Sequence, residues 1–557
     1  MKLPKYLSLL LLFAMTITLV LVSCDSDTQQ DDPPYSENGN NGNNNVPPPE
    51  PPPPANQRGQ ITLYGIPLVF ETNSNTYYFP TANIAGGNVY AADFGYTTDD
   101  TATFTWESRI PVYGNVYRFT ATINGQTRNI NLMFTGLPIV QFSDIDRLQL
   151  NREHSPTAFT MIYRGENGLN IIRSDATIRL RGASSMTFSK NNFGFNLYTP
   201  DGRRNRMSLL GMREHDNRWI LDAMYIDRSK MRNRVSFDIW NGFNTPLLHS
   251  QVSPDADVML NGTRGKYVEV FLGGQFWGLY SLTETINRSQ LGLLSYNADI
   301  GVQSVRYEGR SWGTANRFRG INSRPSRNNA YWSGWRQEFP SVEEVIDWEP
   351  LYAFVRFFNY SNDTVFAARV TEYIHIENFV DYIIFQMITF AYDNSGKNLH
   401  WSVYDINHSE LNRIFLTPWD LDATWGDSWA FSRTPADAYW IVATADANSE
   451  LWQRLITTNA GGARDLLISR WRELRTAELS FDSIWAHFQE QYALLSSTGA
   501  HARDMARWPR NGFGTLSAEM RYLENWITTR WEFVDDFIEN SLDELNYFVG
   551  GHYPSRG

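Results

Sequence analysis

The sequence predicts an α+β protein in which a small all-β, sandwich-like module precedes a mixed region that ends in helices. Three observations lead to this class. Residues 60–137 consist of short strand-like runs such as VYRFTATI and RNINLMF. Residues from 138 onward combine strand and helix patterns, and residues 450–547 place apolar side chains at helical spacing.

Length and composition restrict the class of protein. The chain has 557 residues, of which 42% are hydrophobic and 14% aromatic, so it has enough apolar material for two or more folded units. Its formal net charge at pH 7 is −12. Because nucleic-acid phosphates are bound by basic surfaces, this acidic balance argues against a general nucleic-acid-binding protein.

The N-terminal residues have the pattern of an export signal. Residues 1–23 contain two lysines and then a short apolar run that ends in small residues. The tetrapeptide LVSC, which ends at Cys24, resembles the lipobox of bacterial lipoproteins, in which the cysteine is acylated. We therefore predict a lipid-anchored protein of the bacterial cell envelope, located outside the cytoplasm. Cys24 is the only cysteine, so we expect no intramolecular disulfide.

Residues 24–58 are predicted to form a disordered tether. They are rich in Asn, Pro, Gly and Asp, as in NGNNNVPPPEPPPP, and cannot bury enough apolar area to fold. The β module is assigned to residues 59–137, where Asn124-Gly125 is a strong signal for a hairpin turn. No residues in it have the spacing of a catalytic set, so a spacer or adhesion role is predicted for it.

Residues 138–557 form the last predicted domain. The segments ATIRLRG and FGFNLYT are expected to pair as strands, and KYVEVFLGGQFWGLYSLTETI to form two strands around a Gly-Gly turn. Met231, Val235 and Ile239 recur at four-residue spacing and predict a helix from Asp227 to Gly242. The core candidates in the C-terminal helices are Trp471, Leu474, Trp485 and Phe488.

The stretch AYDNSGKNLHWSVYDINHSELNRIFLTPWDLDATWG, residues 391–426, brings several oxygen-bearing side chains together. A buried helix is predicted before Tyr392, and its end delivers Asp393 into a loop. A hairpin follows. If Tyr404 pairs with Arg413, Asn398 faces Trp419, the neighbour of Asp420, so the amide and the carboxylate can share one cation. Hard oxygen ligands suit Mg²⁺ or Mn²⁺ rather than zinc.

Asn398 follows Asp393 by five positions, the interval between the catalytic aspartate and the metal-binding asparagine of protein kinases. Phosphoryl transfer needs such a set because oxygen ligands hold the metal on the ATP phosphates while a separate carboxylate orients the incoming hydroxyl. A helix-end cap at Asp393 and a turn residue at Asp420 are equally compatible with this motif alone.

Four blocks in this order resemble the CotH family of atypical secreted protein kinases: IRLRGASSMTFSKNNFGFNL, WILDAMYIDRSKMRNRV, GQFWGLYSLTE and DNSGKN with PWDLDATWG. The resemblance covers roughly residues 138–426. It implies a divergent protein-kinase-like fold that binds ATP and a divalent metal and phosphorylates Ser or Thr of an exported protein.

The resemblance also implies roles for individual residues. Asp393 matches the catalytic aspartate, Asn398 and Asp420 match the metal ligands, and Asp422 is a further candidate metal ligand. The residues implied in ATP binding are Arg181, Gly182, Ser184 and Ser185 in the nucleotide-covering block, together with Lys190. Glu284 is a candidate ATP-binding residue for a different reason: it ends the predicted strand YSLTE, where it is a candidate hydrogen-bond partner of the nucleotide. Glu284 is also a candidate partner for a base such as Arg232, or a plain surface carboxylate.

Two departures from the family pattern bear on activity. The second lysine of the usual pair is Asn191, and the next basic position is Asn196. A catalytically inactive relative that serves as a surface binding or scaffold protein is therefore the alternative. A second rival, a serine hydrolase, follows from Gly309-Arg310-Ser311-Trp312-Gly313, which fits G-x-S-x-G, but the next residues are too polar for the helix that this elbow needs.

Overall fold

The computed structural model describes residues 59–81, 87–98, 100–146, 149–212, 216–246, 260–438, 449–543 and 545. The predicted signal peptide, Cys24 and the tether lie outside these residues. All the described residues belong to one compact unit, Val46–Gly557. Within the described ranges, no helix combines the length and the apolar character needed to cross a bilayer.

In the described part of residues 59–137, every regular element is a strand except for the 3₁₀ turn Ala91–Asp93. The strands are β1 (Ile61–Leu63), β2 (Ile66–Pro67), β3 (Val69–Glu71), β4 (Thr76–Phe79), β5 (Phe94–Tyr96), β6 (Ala102–Thr105), β7 (Val116–Ile123) and β8 (Gln126–Phe134). They form a three-stranded sheet, β2-β1-β5, and a five-stranded sheet, β3-β4-β8-β7-β6. Leu63 and Phe94 of the first sheet share a buried cluster with Phe119 and Leu132 of the second.

The predicted hairpin turn at Asn124-Gly125 is confirmed. Both residues have left-handed backbones, with φ of 49° and 77°, and Ile123 pairs with Gln126 on either side of them. This is the geometry that a two-residue turn between twisted antiparallel strands requires.

Seven strands then form a closed barrel in the order β10-β11-β12-β13-β15-β14-β9. They are β9 (Ile139–Ser143), β10 (Ser155–Gly165), β11 (Gly168–Arg181), β12 (Asn192–Tyr198), β13 (Arg218–Asp222), β14 (Gly265–Leu272) and β15 (Gln275–Thr283). The predicted pairs β11 with β12 and β14 with β15 are both present. A parallel pairing of β9 with β14 closes the barrel.

A further five-stranded sheet follows the barrel in the chain, and its last two strands flank the predicted site residues Asn398 and Asp420. Its antiparallel strands run in the order β17-β18-β16-β19-β20. They are β16 (Val305–Gly309), β17 (Tyr331–Trp332), β18 (Trp335–Phe339), β19 (Leu399–Val403) and β20 (Ile414–Pro418).

The helices of the described residues are α1 (Arg232–Phe243), α2 (Glu349–Tyr360), α3 (Asp363–Arg369), α4 (Ile376–Thr389), α5 (Glu450–Thr457), α6 (Ala463–Leu474), α7 (Phe481–Ser497), α8 (Ala500–Arg507) and α9 (Leu516–Asp536). Trp471, Leu474 and Phe488 are buried as predicted, and Trp485 packs against the same core.

Helix α1 begins later than the sequence predicts. Lys230 has a left-handed backbone, with φ of 62°, so the chain is not helical before Met231. Asp227 instead accepts a hydrogen bond from the backbone N–H of Arg232 at 2.7 Å. Gly242 lies inside the helix, which ends at Phe243.

Helix α8 joins the C-terminal helices to the barrel. Arg503 donates to the carboxylate of Glu269 on β14 at 2.8 Å, and Asp504 accepts from the backbone N–H of Leu279 on β15 at 3.0 Å. Trp508 follows the helix and donates to the carbonyl of Trp277 at 2.6 Å. The barrel and the C-terminal helices therefore share polar contacts.

Candidate active site

The hairpin β19–β20 has the register that the sequence predicts. Val403 pairs with Ile414 and Leu399 with Pro418, and the backbone N–H of Trp419 donates to the carbonyl of Asn398 at 3.0 Å. Asn398 and Asp420, at the open end of the hairpin, both have left-handed backbones, with φ of 54° and 56°. The two predicted metal ligands are thus held on adjoining strand ends.

Asp393 reaches the same place from the end of α4. The helix stops at Phe390, whose left-handed backbone has a φ of 53°, and a 3₁₀ turn, Tyr392–Asn394, follows. The Asp393 carboxylate accepts a hydrogen bond from the side-chain amide of Asn398 at 3.1 Å and forms an ion pair with Lys397 at 2.9 Å. The structure therefore brings together Asp393 and Asn398, as the five-residue interval suggested.

Asn394 holds the Asp393 loop in place by hydrogen bonds, and the sequence did not predict this role. It is fully buried, and its side-chain amide donates to the carbonyls of Asn398 at 3.1 Å and Trp419 at 2.6 Å. Its own carbonyl accepts from the hydroxyl of Tyr382 on α4 at 2.6 Å. Asn394 thereby ties the loop of Asp393 to both strands of the hairpin.

The carboxylates of the site shift one another's pKa values. Burial raises the pKa of Asp393, and the charge of Lys397 partly opposes this rise. Asp420 is accessible to solvent, yet the surrounding protein and the charges of Asp393 and Asp222 raise its pKa to about 6. Burial and the charge of Asp420 raise the pKa of Asp422 well above the ordinary range. Each carboxylate thus opposes the ionisation of its neighbours.

Asp222 and Asn233 are further members of the site that sequence reasoning missed. The side-chain amide of Asn233 on α1 donates to the Asp222 carboxylate at 2.7 Å, and its oxygen accepts from the backbone N–H of Leu421 at 3.2 Å. Asn233 therefore fixes the chain between Asp420 and Asp422. Both residues lie in the block WILDAMYIDRSKMRNRV, the signal that could have drawn attention to them.

The donor set fits the predicted metal in its chemistry. The carboxylates of Asp420 and Asp422 and the amide oxygen of Asn398 are hard ligands of the kind that Mg²⁺ and Mn²⁺ prefer. Among the described residues, no three His, Cys, Asp or Glu side chains form a metal-binding group by themselves. Asp420 and Asp422 nevertheless repel each other when both are ionised, and a bound divalent cation would offset this repulsion.

The predicted nucleotide-covering block forms a turn between β11 and β12. Gly182 has a φ of 110°, and a Cβ at this position would collide with the Ser185 hydroxyl, so the turn requires glycine. Ser184 and Ser185 begin the 3₁₀ turn Ser184–Thr187. The side-chain amide of Asn191 donates to three carbonyls of this turn region, those of Ser185, Met186 and Phe188.

Lys190, a predicted ATP-binding residue, is enclosed by the protein. Its side chain is fully buried and its ammonium group forms an ion pair with Asp504 at 2.8 Å. The same group donates to the carbonyls of Ala223 and Leu279. Burial lowers the pKa of Lys190 to about 8. In this arrangement the ammonium group is enclosed by protein acceptors and presents no face to a ligand.

Glu284 pairs with Arg264 and not with Arg232. The Arg264 guanidinium lies 2.9 Å from the Glu284 carboxylate, and the backbone N–H of Arg264 donates to the same group at 2.9 Å. Arg232 is instead buried among Asp227, Asp427 and Glu519. The strand end at Thr283 places Glu284 beside the chain that enters β14, which is why Arg264 is its partner.

The serine-hydrolase pattern does not form its elbow. Ser311 follows β16, is exposed, and is succeeded by turns rather than by a helix. Its backbone N–H donates to the carbonyl of Gly334 at 3.1 Å. His400 is a packed strand residue: it is buried and its Nδ1 lies 3.1 Å from the guanidinium of Arg306.

Comparison with known families decides the classification. A model of the CotH kinase protein family matches residues 178–534, more than half of the 557-residue chain. The chain belongs to the CotH kinase family. The CotH match begins in β11 and ends within α9. It therefore extends past residue 426, where the resemblance visible in the sequence blocks stops. It supports a kinase-like enzyme. A comparison with curated proteins found no match.

Proposed function

We propose that this protein is an exported, lipid-anchored kinase that transfers the γ-phosphoryl group of ATP to Ser or Thr hydroxyls of a surface or secreted protein. One observation carries the proposal within the site. The Asp393 carboxylate contacts the Asn398 amide at 3.1 Å, while the backbone of Asn398 is bonded to Trp419, the neighbour of Asp420.

Asp393 is the proposed general base. A hydroxyl that attacks the γ-phosphorus loses its proton as the new O–P bond forms and the bond from the γ-phosphorus to the β–γ bridging oxygen breaks, which releases ADP. A carboxylate within hydrogen-bonding reach accepts the proton. Burial raises the pKa of Asp393, which makes it a better proton acceptor than a solvated aspartate. Lys397 and Asn398 hold the carboxylate in place.

Asn398, Asp420 and Asp422 are proposed to hold Mg²⁺ or Mn²⁺, which when bound neutralises charge on the phosphate oxygens. Arg181 and the backbone of the turn at Gly182, Ser184 and Ser185 are proposed to face the nucleotide. Lys190 and Glu284 contribute indirectly in this scheme, because their charged groups are held by Asp504 and Arg264.

The location and partner are also proposals. The lipobox-like sequence at Cys24 supports anchoring to a membrane of the bacterial cell envelope, and the Asn/Pro-rich tether supports a domain held away from that membrane. The substrate is then an exported or surface protein. The net charge of −12 supports a protein substrate rather than a nucleic acid.

A catalytically inactive surface binding or scaffold protein is the second candidate. It is favoured by Asn191, which stands where the family has a second lysine and whose amide is used to hold the turn. The enclosure of Lys190 points the same way. The two candidates differ in one measurable property, namely phosphoryl transfer that depends on Asp393.

The deciding experiment incubates the purified full-length chain with γ-labelled ATP, Mn²⁺ or Mg²⁺, and exported proteins of a bacterial envelope. The Asp393→Asn and Asp420→Asn variants are compared with wild type and with Asp482→Asn, a change at an exposed residue in the first turn of α7. We expect transfer to fall by a factor of about 10² to 10⁴ in the first two variants only. Equal labelling in all four proteins would refute the kinase assignment, and ATP binding without transfer in wild type would support the scaffold.

A further inference from the structure

Trp419 links a cation on the barrel to the metal-binding end of the hairpin. The guanidinium of Arg181, at the end of β11, lies 5.2 Å from the centre of the Trp419 ring. The ring is partly buried and is flanked by Phe237 of α1 at 6.3 Å and His400 of β19 at 6.2 Å. Because the Trp419 backbone is bonded to Asn398, the ring holds Arg181 at a fixed position relative to Asn398 and Asp420.

Arg181 is a cation that lacks a close anion. Within the described ranges, no carboxylate forms an ion pair with it and no acceptor takes a hydrogen bond from it. It interacts at longer range with Glu308 and Asp420, and it is repelled by Arg179 and Arg310. Its side chain remains partly exposed. A partly buried guanidinium with its donors unused is a favourable site for an anion.

Lys190, a further cation of the nucleotide-covering region, is not available for this purpose. Lys190 is enclosed by Asp504 and two backbone carbonyls, and the second lysine of the family pattern is Asn191. A nucleotide that brings three or four negative charges to Asp420 and Asn398 must therefore be neutralised by other groups. Arg181 is one of them, because its charge acts on Asp420, whereas the ammonium group of Lys397 is paired with Asp393.

We propose that Trp419 is a positioning residue that stacks on Arg181 and orients its free donors towards the phosphates of the bound nucleotide. This inference rests on the proposed function, because it concerns the nucleotide of that same site. Stacking on a ring covers one face of the planar guanidinium and leaves the N–H groups at its edge free, so that two of them can bind one phosphate side by side. A lysine at position 181 would supply the charge without this geometry.

The test measures the dissociation constants of MgATP, Mg²⁺-tripolyphosphate and adenosine for the full-length chain and four variants: Arg181→Gln, Trp419→Leu, Trp419→Phe and Arg173→Gln. Arg173 lies on the same strand and is exposed, so it is a charge-matched control. We expect Arg181→Gln and Trp419→Leu to weaken binding of ATP and tripolyphosphate about tenfold to hundredfold and to leave adenosine binding unchanged. Trp419→Phe retains an aromatic face, so it should bind ATP and tripolyphosphate with most of the wild-type affinity.

Two results would overturn the inference while leaving the proposed function intact. One is MgATP binding that is unchanged in Arg181→Gln, which would assign Arg181 to a ligand other than the nucleotide. The other is an equal loss of adenosine and ATP binding in Trp419→Leu and Trp419→Phe, which would show a merely structural role. Failure of wild type to bind MgATP would instead contradict the proposed function.

Discussion

The side-chain amide of Asn398 donates a hydrogen bond to the carboxylate of Asp393 across 3.1 Å. The same asparagine is bonded through its backbone to Trp419, so one residue connects the proposed base with the proposed metal-binding strand end. Lys397 lies between them in the chain and holds the Asp393 carboxylate from another direction. These contacts give predictions that can be checked separately.

Removal of the Lys397 charge should change the pH dependence of transfer. Lys397 lowers the pKa of Asp393 against the effect of burial, so Lys397→Met should raise the pKa of this base. The acidic limb of the profile of kcat/KM against pH should therefore move to higher pH. Lys266→Met removes an exposed lysine of β14 and serves as the control. An acidic limb that stays in place would argue against Asp393 as the titrating base.

Replacement of Asp420 should stabilise the metal-free protein near neutral pH. Its pKa is raised from 3.8 to about 6, so folding disfavours its charged form. The favourable contribution of the protonated group is complete below pH 3.8 and is lost as the pH rises through about 6. Asp420→Asn should gain on the order of 1 kcal/mol of unfolding free energy at pH 7, after allowance for solvent screening, and nothing at pH 3.5.

Mn²⁺ provides the complementary measurement on the same variant. A cation that binds the folded state raises the thermal midpoint, and we expect this rise in wild type but not in Asp420→Asn. The rise in wild type should shrink between pH 7 and pH 5, because protonation of Asp420 competes with the cation. A Mn²⁺ effect of equal size in both proteins would remove Asp420 from the metal site.

Asp504→Asn should be strongly destabilising. The Asp504 carboxylate pairs with Lys190 at 2.8 Å and lies 3.8 Å from Lys230, and all three side chains are buried. Loss of its charge leaves the buried ammonium groups of Lys190 and Lys230 without the carboxylate that pairs with them, at a cost of about 3 kcal/mol or more. Urea denaturation measures the change. The pair Arg464–Asp543 has the same 2.8 Å separation, but its aspartate is exposed, so Asp543→Asn should cost less than about 1 kcal/mol.

Ser311 should not be needed for phosphoryl transfer. It lies in an exposed loop without the helix of a nucleophile elbow, so a fluorophosphonate probe should not label it and Ser311→Ala should transfer phosphate at the wild-type rate. Labelling that is specific to Ser311 would revive the hydrolase alternative.

Local patterns in the sequence predicted the parts of the site that depend on neighbours in the chain. The register of β19 and β20 follows from two short apolar runs around a polar turn, and the end of α4 follows from helical spacing that stops before Tyr392. The start of α1 was wrong by five residues, because the left-handed backbone of Lys230 is not apparent from the residue type.

Contacts between distant segments were the part that the sequence could not supply. Asn233 reaches Leu421 from α1, and Asp504 reaches Lys190 from α8. No spacing rule connects such residues, since their approach depends on how the barrel and the helices pack. The contact between the Trp419 ring and the Arg181 guanidinium is another example.

The pairing of Lys190 and Lys230 with Asp504 has a consequence for the newly made chain. Synthesis releases both lysines long before their shared aspartate, which belongs to one of the last helices. A ribosome-bound chain that closed its barrel early would bury both lysines without the carboxylate that pairs with them. We therefore expect the barrel to gain stability when the C-terminal helices emerge, and a translation product truncated before α8 to remain a substrate for proteases.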